Sequence, residues 1–190
     1  MGIFSNRRRQ HRLEEEMSKL CGELDAALRG PGPADVDELF RKVAVHLTEL
    51  RGRPVRVLRR DFPPGLSGLW LDREHEDVII VVRSTSPFHS LVILGHEIWH
   101  MVRGHCGTHE HGSQAATRLL VDVLDAGPLD QAILSVAART HAVPGDEAEA
   151  EAFGRRFGSR MRRHVEHHPG QRVLNGPGQR IQSSLGGSED

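Results

Sequence analysis

Apolar residues recur at three- and four-residue intervals through residues 8–29, at Leu13, Met17, Leu20, Leu24 and Leu28, which predicts a helix with one apolar face. Gly30-Pro31-Gly32-Pro33 ends it. A second helix is expected from about Asp35, with Val36, Leu39, Phe40, Val43, Leu47 and Leu50 on one side, closing at Gly52. The pattern then changes. Val55–Leu58 reads as a strand, Asp61–Gly68 as a loop, and Gly68–Asp72 and Asp77–Arg83 as strands joined by the polar turn Arg73-Glu74-His75-Glu76. Ser84–Pro87 leads into a helix at about 89–104, rich in Leu91, Val92, Ile93, Leu94, Ile98, Met101 and Val102. Further helices are expected near 113–125, near 129–140, and from about Asp146 to His164. From Pro169 onward large apolar side chains are few, and the composition predicts a disordered tail. Helices, then a small sheet, then helices give an α+β class. The expected organisation is an N-terminal helix over 1–30, one domain over 31–168 and a tail over 169–190.

Bulk properties narrow the function more by exclusion than by indication. A formal charge of -1 over 190 residues supplies no global field for nucleic acid or membrane. The apolar runs Val78–Val82 and Leu91–Leu94 are too short to span a bilayer. Cys21 and Cys106 make no disulfide framework, and no signal sequence opens the chain, so a cytoplasmic location is expected. Cys21, near the apolar side of the first helix, is expected to pack as a small hydrophobe.

The chemistry concentrates in His96-Glu97-Ile98-Trp99-His100. Four residues apart on a helix, His96 and His100 project from one face about 6 Å apart along the axis, and both ring nitrogens can reach one Zn²⁺ at about 2.0–2.1 Å. Zinc makes water acidic, with a pKa near about 7, and Glu97 stands beside the ligands to take the proton. Two histidines at this spacing also occur on ordinary helices, but solvated His-rich helices are not embedded in an apolar run behind an apolar strand. A catalytic site wants a third protein ligand. A third histidine six residues on is excluded, because Cys106 stands there and Arg103 replaces the glycine expected before it. The acidic helix start at 146–151 offers Glu147 and Glu151, four apart on one face, one to ligate and the other to support a ligand histidine.

Other polar clusters are weaker. His105, Cys106, His109 and His111 read as a solvated loop, and His141 as a surface histidine with oxyanion stabilisation as its alternative. Arg7-Arg8-Arg9 with Arg12, and Arg155, Arg156, Arg160, Arg162 and Arg163, read as solvated faces without interleaved aromatics, so direct nucleic-acid binding is not expected.

From Val36 to Phe157 the chain resembles the ImmA/IrrE family of bacterial metallopeptidase-like proteins, in particular short actinobacterial members labelled toxin components of toxin–antitoxin systems. The resemblance rests on Leu50-Arg51-Gly52-Arg53-Pro54-Val55, on Gly68-Leu69-Trp70, on Ser86-Pro87-Phe88-His89 ahead of the motif, and on Glu147 to Phe153. It implies a zincin-like fold, Zn²⁺ held by His96, His100 and Glu147, Glu97 as general base, and Glu151 orienting a ligand histidine. It also implies a regulatory protein as substrate, such as a repressor or antitoxin-like protein. Two positions depart from the family pattern. Ile98-Trp99 replaces Leu-Gly, with a bulk expected to narrow the cleft, and Glu151 replaces an Asp or Asn. Both departures favour the alternative, a metal-containing binding module that recognises its partner without cutting it.

Overall fold

A computed structural model of the chain describes residues 2–30, 32–61, 67–104 and 144–166. Among these, α1 (Gly2–Ala27) and α2 (Val36–Arg51) precede three strands, β1 (Val55–Arg60), β2 (Gly68–Asp72) and β3 (Asp77–Val82), followed by α3 (Pro87–Arg103) and α4 (Pro144–Glu166). The mixed α+β class expected from the sequence is the class observed. The expected helices near 113–125 and 129–140, His105, Cys106, His109, His111, His141 and the tail lie outside the described residues.

Local chemistry sets the helix ends. Asp35 caps α2 by accepting from the Glu38 N–H at 2.7 Å, and the Glu38 carboxylate accepts from the N–H of Ala34, one residue before the cap, at 2.5 Å, so two donors at the helix entry are satisfied. Gly52, at φ 65°, ends the helix in the left-handed region that a side chain would strain. Ser86 caps α3 by accepting from the His89 N–H at 3.2 Å, and Pro87 fills the first turn, where a missing N–H costs nothing. This proline-led start places the helix two residues earlier than periodicity alone implies.

The sheet has the order β1-β3-β2, with β1 parallel and β2 antiparallel to β3. Alternation turns Ile79 and Val81 toward the main core, while Val78 and Ile80 face the other way, yet all four are at most 1 % exposed. Burial on both faces explains why β3 is a continuous apolar run. The core joins α1 (Met17, Leu20, Cys21, Leu24), α2 (Leu39, Phe40, Val43, Leu47), the sheet, α3 and α4 (Phe153, Phe157, Met161) in one cluster. Cys21 is buried there as expected, and burial pushes its thiol up to about 11. Leu50 does not join this core. At 47 % exposed, it shows that the last turn of α2 runs past the apolar cluster. No helix among the described residues is long and apolar enough to cross a membrane.

Candidate metal centre

Helix α3 carries the motif and lies against β2, β3 and α4. Its crossing with α4 is set by glycines. A Cβ at Gly154 would stand 2.6 Å from the Val92 carbonyl oxygen, one at Gly95 would meet Phe157 Cβ at 2.8 Å, and one at Gly158 would meet Val92 Cγ2 at 2.6 Å. Only bare glycine permits this approach of the two backbones. Glu147 stands seven residues before Gly154, close to two helical turns, and so on the same face of α4. The close crossing therefore delivers its carboxylate to the histidines.

Three potential ligand side chains meet there. His96 Nε2 and His100 Nε2 are 3.0 Å apart, Glu147 Oε1 lies 3.1 Å from His100 Nε2, and Glu147 Oε2 lies 3.5 Å from His96 Nε2. A tetrahedral ion with ligands at about 2.0–2.1 Å sets its ligand atoms about 3.3–3.4 Å apart. The two Glu147 contacts end on different carboxylate oxygens, and one ligand atom from each of the three side chains lies within 4.8 Å of the others, so the donor set fits one Zn²⁺ ion by chemistry and by proximity. His96, His100 and Glu147 could thus hold a metal ion. Burial lowers the pKa of His96, and the charges of Glu147 and Glu151 raise it in part, leaving the neutral imidazole that a metal needs.

Glu97 lies on the buried side of α3, 8 % exposed. Burial pushes its carboxyl up to about 8, the Glu147 charge adds to the rise, and a hydrogen bond from the Trp70 backbone N–H opposes it. Space for the carboxylate comes from Gly68, where a Cβ would stand 2.7 Å from Glu97 Oε1 and 2.5 Å from Ile93 Cγ2.

The two departures from the family pattern fall elsewhere than expected. Trp99 does not narrow the cleft. It is 1 % exposed and stacks on Phe153, centroids 4.9 Å apart, between α3 and α4, with the Arg103 guanidinium 5.6 Å over its ring. Position 99 precedes His100 by one residue, about 100° around the helix, which turns the indole into the core. Glu151 is exposed, and its carboxylate pairs with Arg155 at 3.1 Å; its charge reaches His96 only through space. Glu149 points toward Arg103, at 3.8 Å.

Periodicity did not single out the three crossing glycines or the Trp70 N–H. The spacing Gly154-x-x-x-Gly158 was a visible sign of close helix contact, whereas nothing in the sequence announces a backbone N–H as a partner of Glu97. The arginines of α4 are mostly exposed, as a solvated face implies, and three of them also pair within the protein: Arg156 with Glu14, and Arg160 and Arg163 with Asp25. No family model matches the chain, and no curated protein or solved structure matches it.

Proposed function

We propose that this chain is a zinc-dependent metallopeptidase-like protein that hydrolyses a peptide bond in a regulatory protein partner. The observation that carries this reading is the cluster of His96 Nε2, His100 Nε2 and the Glu147 carboxylate, with contacts of 3.0 to 3.5 Å, next to a buried carboxyl that is not needed as a ligand. Zinc bound there would supply Lewis acidity toward a peptide carbonyl and an acidified water. His96 and His100 orient through α3, and Glu147 through the glycine-set crossing of α4. Glu97, with a pKa moved toward neutrality, holds or releases a proton at its carboxylate near physiological pH, as a general base and later proton donor requires. The ImmA/IrrE-like motifs point the choice of substrate toward a repressor or antitoxin-like protein rather than bulk digestion.

A second reading, the metal-containing module that binds without cutting, is favoured by one observation. Glu151 pairs with Arg155 instead of supporting an imidazole, so the second carboxylate of the acidic helix adds no orientation to the ligands. Trp99, buried away from the cleft, no longer speaks for it.

Co-expression with candidate regulatory proteins of the source genome, any regulator encoded beside this chain first, followed by intact-mass measurement of each regulator, separates the two. The peptidase reading expects a cut with the wild type and none with Glu97→Gln, at equal zinc content. A regulator bound tightly but left whole by the zinc-loaded wild type supports the binding module. Cleavage by Glu97→Gln at the wild-type rate removes Glu97 from the mechanism.

A further inference from the structure

Many arginines of the described residues end on an acid, as Arg53 does on Asp72, Arg103 on Glu16 and Arg155 on Glu151. The four at the start of α1 do not. Arg7, Arg8, Arg9 and Arg12 are exposed, and none of them pairs with an acidic side chain among the described residues. Helical spacing offers Arg12 two acids, three and four residues on, but both are engaged elsewhere: Glu15 meets His11 at 3.3 Å and Glu16 meets Arg103 at 2.9 Å. Glu14 is drawn off to Arg156. Residues 7–12 are all exposed, and burial on α1 begins only with Leu13 and Met17.

Glu16 fixes where this stretch lies. Its partner Arg103 is the last residue of α3, three beyond His100, and Arg103 Nε also faces Glu149 Oε2 at 3.8 Å, two residues beyond Glu147. Glu16 is thus held at the rim of the candidate metal centre. Helices α1 and α4 run in the same sense, since Glu14 pairs with Arg156 and Asp25 with Arg160 and Arg163. The turns before Glu14 therefore extend toward the end of α4 that carries Glu147. Arg12 and Arg9 stand four and seven residues before Glu16, about 6 and about 10 Å along the axis and within about 40° of its direction around the helix. They continue the row that Glu16 begins, on the side turned to the end of α3. Arg8 flanks the row, and Arg7 lies about 180° away, on the opposite side.

We propose that Arg9 and Arg12, with Arg8 beside them, form a recognition arm for an acidic segment of the protein partner, a stretch rich in Asp and Glu that lies along α1 beside the candidate metal centre. A guanidinium group meets a carboxylate with two parallel hydrogen bonds, and these three have no internal carboxylate to release first. Nucleic acid fits the arm less well: residues 7–12 include no Phe, Trp or Tyr to stack on a base, and the formal charge of the whole chain is -1. The proposal rests on the reading of a protein partner given above and adds the chemistry by which that partner is recognised.

Fluorescence anisotropy on the full chain tests it, with a labelled peptide of alternating Glu and Ser and, separately, a labelled oligonucleotide of equal net charge. The wild type binds the peptide, and added salt weakens the binding by screening exposed charges. Arg9→Gln with Arg12→Gln weakens it about tenfold, the loss of two exposed ion pairs. Arg7→Gln with Arg29→Gln removes the same charge from other faces and leaves the affinity within about twofold of wild type. Both double variants keep the wild-type unfolding midpoint, because none of the four side chains has an internal partner to lose. No binding of the peptide by the wild type overturns the proposal. So does an equal loss in the two double variants, the mark of net charge rather than a site, or tighter binding of the oligonucleotide than of the peptide. Binding is read without zinc or cleavage. A regulator left whole in co-expression therefore counts against the peptidase reading and not against the arm, and an arm that binds no acidic peptide leaves the zinc reading as it was.

Discussion

Glu97 directly follows His96 in the sequence, yet the two side chains meet opposite surroundings: the imidazole faces Glu147, and the carboxyl faces the space beneath β2. Burial lowers the pKa of the first and raises that of the second, and each shift favours the neutral form. For Glu97 the consequence is measurable. Its folded pKa of about 8 lies above the ordinary value of 4.5, so the stability it contributes is fully present below about pH 4.5 and is lost as pH rises through about 8. Metal-free wild type is therefore expected to lose stability relative to Glu97→Gln over that interval, by roughly a few kcal/mol at the upper end. Urea unfolding across the pH range checks this, and parallel pH profiles for the two proteins would contradict it. At this scale the motif was legible, because a four-residue spacing is sufficient to put His96 and His100 on one helical face. Glu147 and Glu151 were not separable by the same rule, since they too are four apart. Their height along α4 relative to α3 decides between them, and that is a property of packing.

The packing belongs to the helices as elements. Gly95, Gly154 and Gly158 let α3 and α4 approach until their backbones touch, and the acidic start of α4 is carried to the histidines as a result. Gly154→Ala is expected to cost about 1–3 kcal/mol, because the added methyl meets a backbone carbonyl that cannot swing aside, and to weaken zinc binding by moving Glu147. Gly22→Ala is the contrast. Within α1, with nothing inside 4 Å of the new methyl, it should stabilise by about 0.5–1 kcal/mol. Thermal unfolding of both variants tests the pair, and a Gly154→Ala protein as stable as wild type would remove the crossing from the account. Element boundaries were largely readable, since caps and glycine stops are local. The parallel pairing of β1 with β3 was not, because the register of distant strands is set by the core they share rather than by either strand alone.

Across the whole molecule, α1 buries its apolar face in the same core as the sheet and is latched to α4 by charge. Asp25, 0 % exposed, receives Arg160 at 3.2 Å, Arg163, and His164 at 2.8 Å. Burial pushes its carboxyl up, but the bonds from His164, Arg163 and Arg160 outweigh that and hold it at about 2, below the ordinary 3.8. The stability from this latch is present above about pH 3.8 and lost as pH falls through about 2. Replacing Arg160 and Arg163 together by alanine should cost about 2 kcal/mol near neutral pH, less than for fully buried partners because the two guanidinium side chains are 43 % and 56 % exposed. That difference should shrink over the acid interval; a difference independent of pH would show that the arginines act by packing alone. The latch ties the N-terminal helix to the helix that supplies Glu147, so the candidate metal centre is braced by elements from both ends of the described residues.

The central claim is that His96, His100 and Glu147 bind one zinc ion, and zinc titration of the full chain in the wild type and in four alanine variants tests it most directly. One zinc per chain is expected for the wild type, with near-complete loss of binding in His96→Ala, His100→Ala and Glu147→Ala. Glu151→Ala should stay close to wild type, well short of the roughly 10–100-fold loss that follows removal of a group supporting a ligand, because its carboxylate is engaged by Arg155. Equal zinc binding by the wild type and all three ligand variants, or a larger loss in Glu151→Ala than in Glu147→Ala, would contradict the assignment.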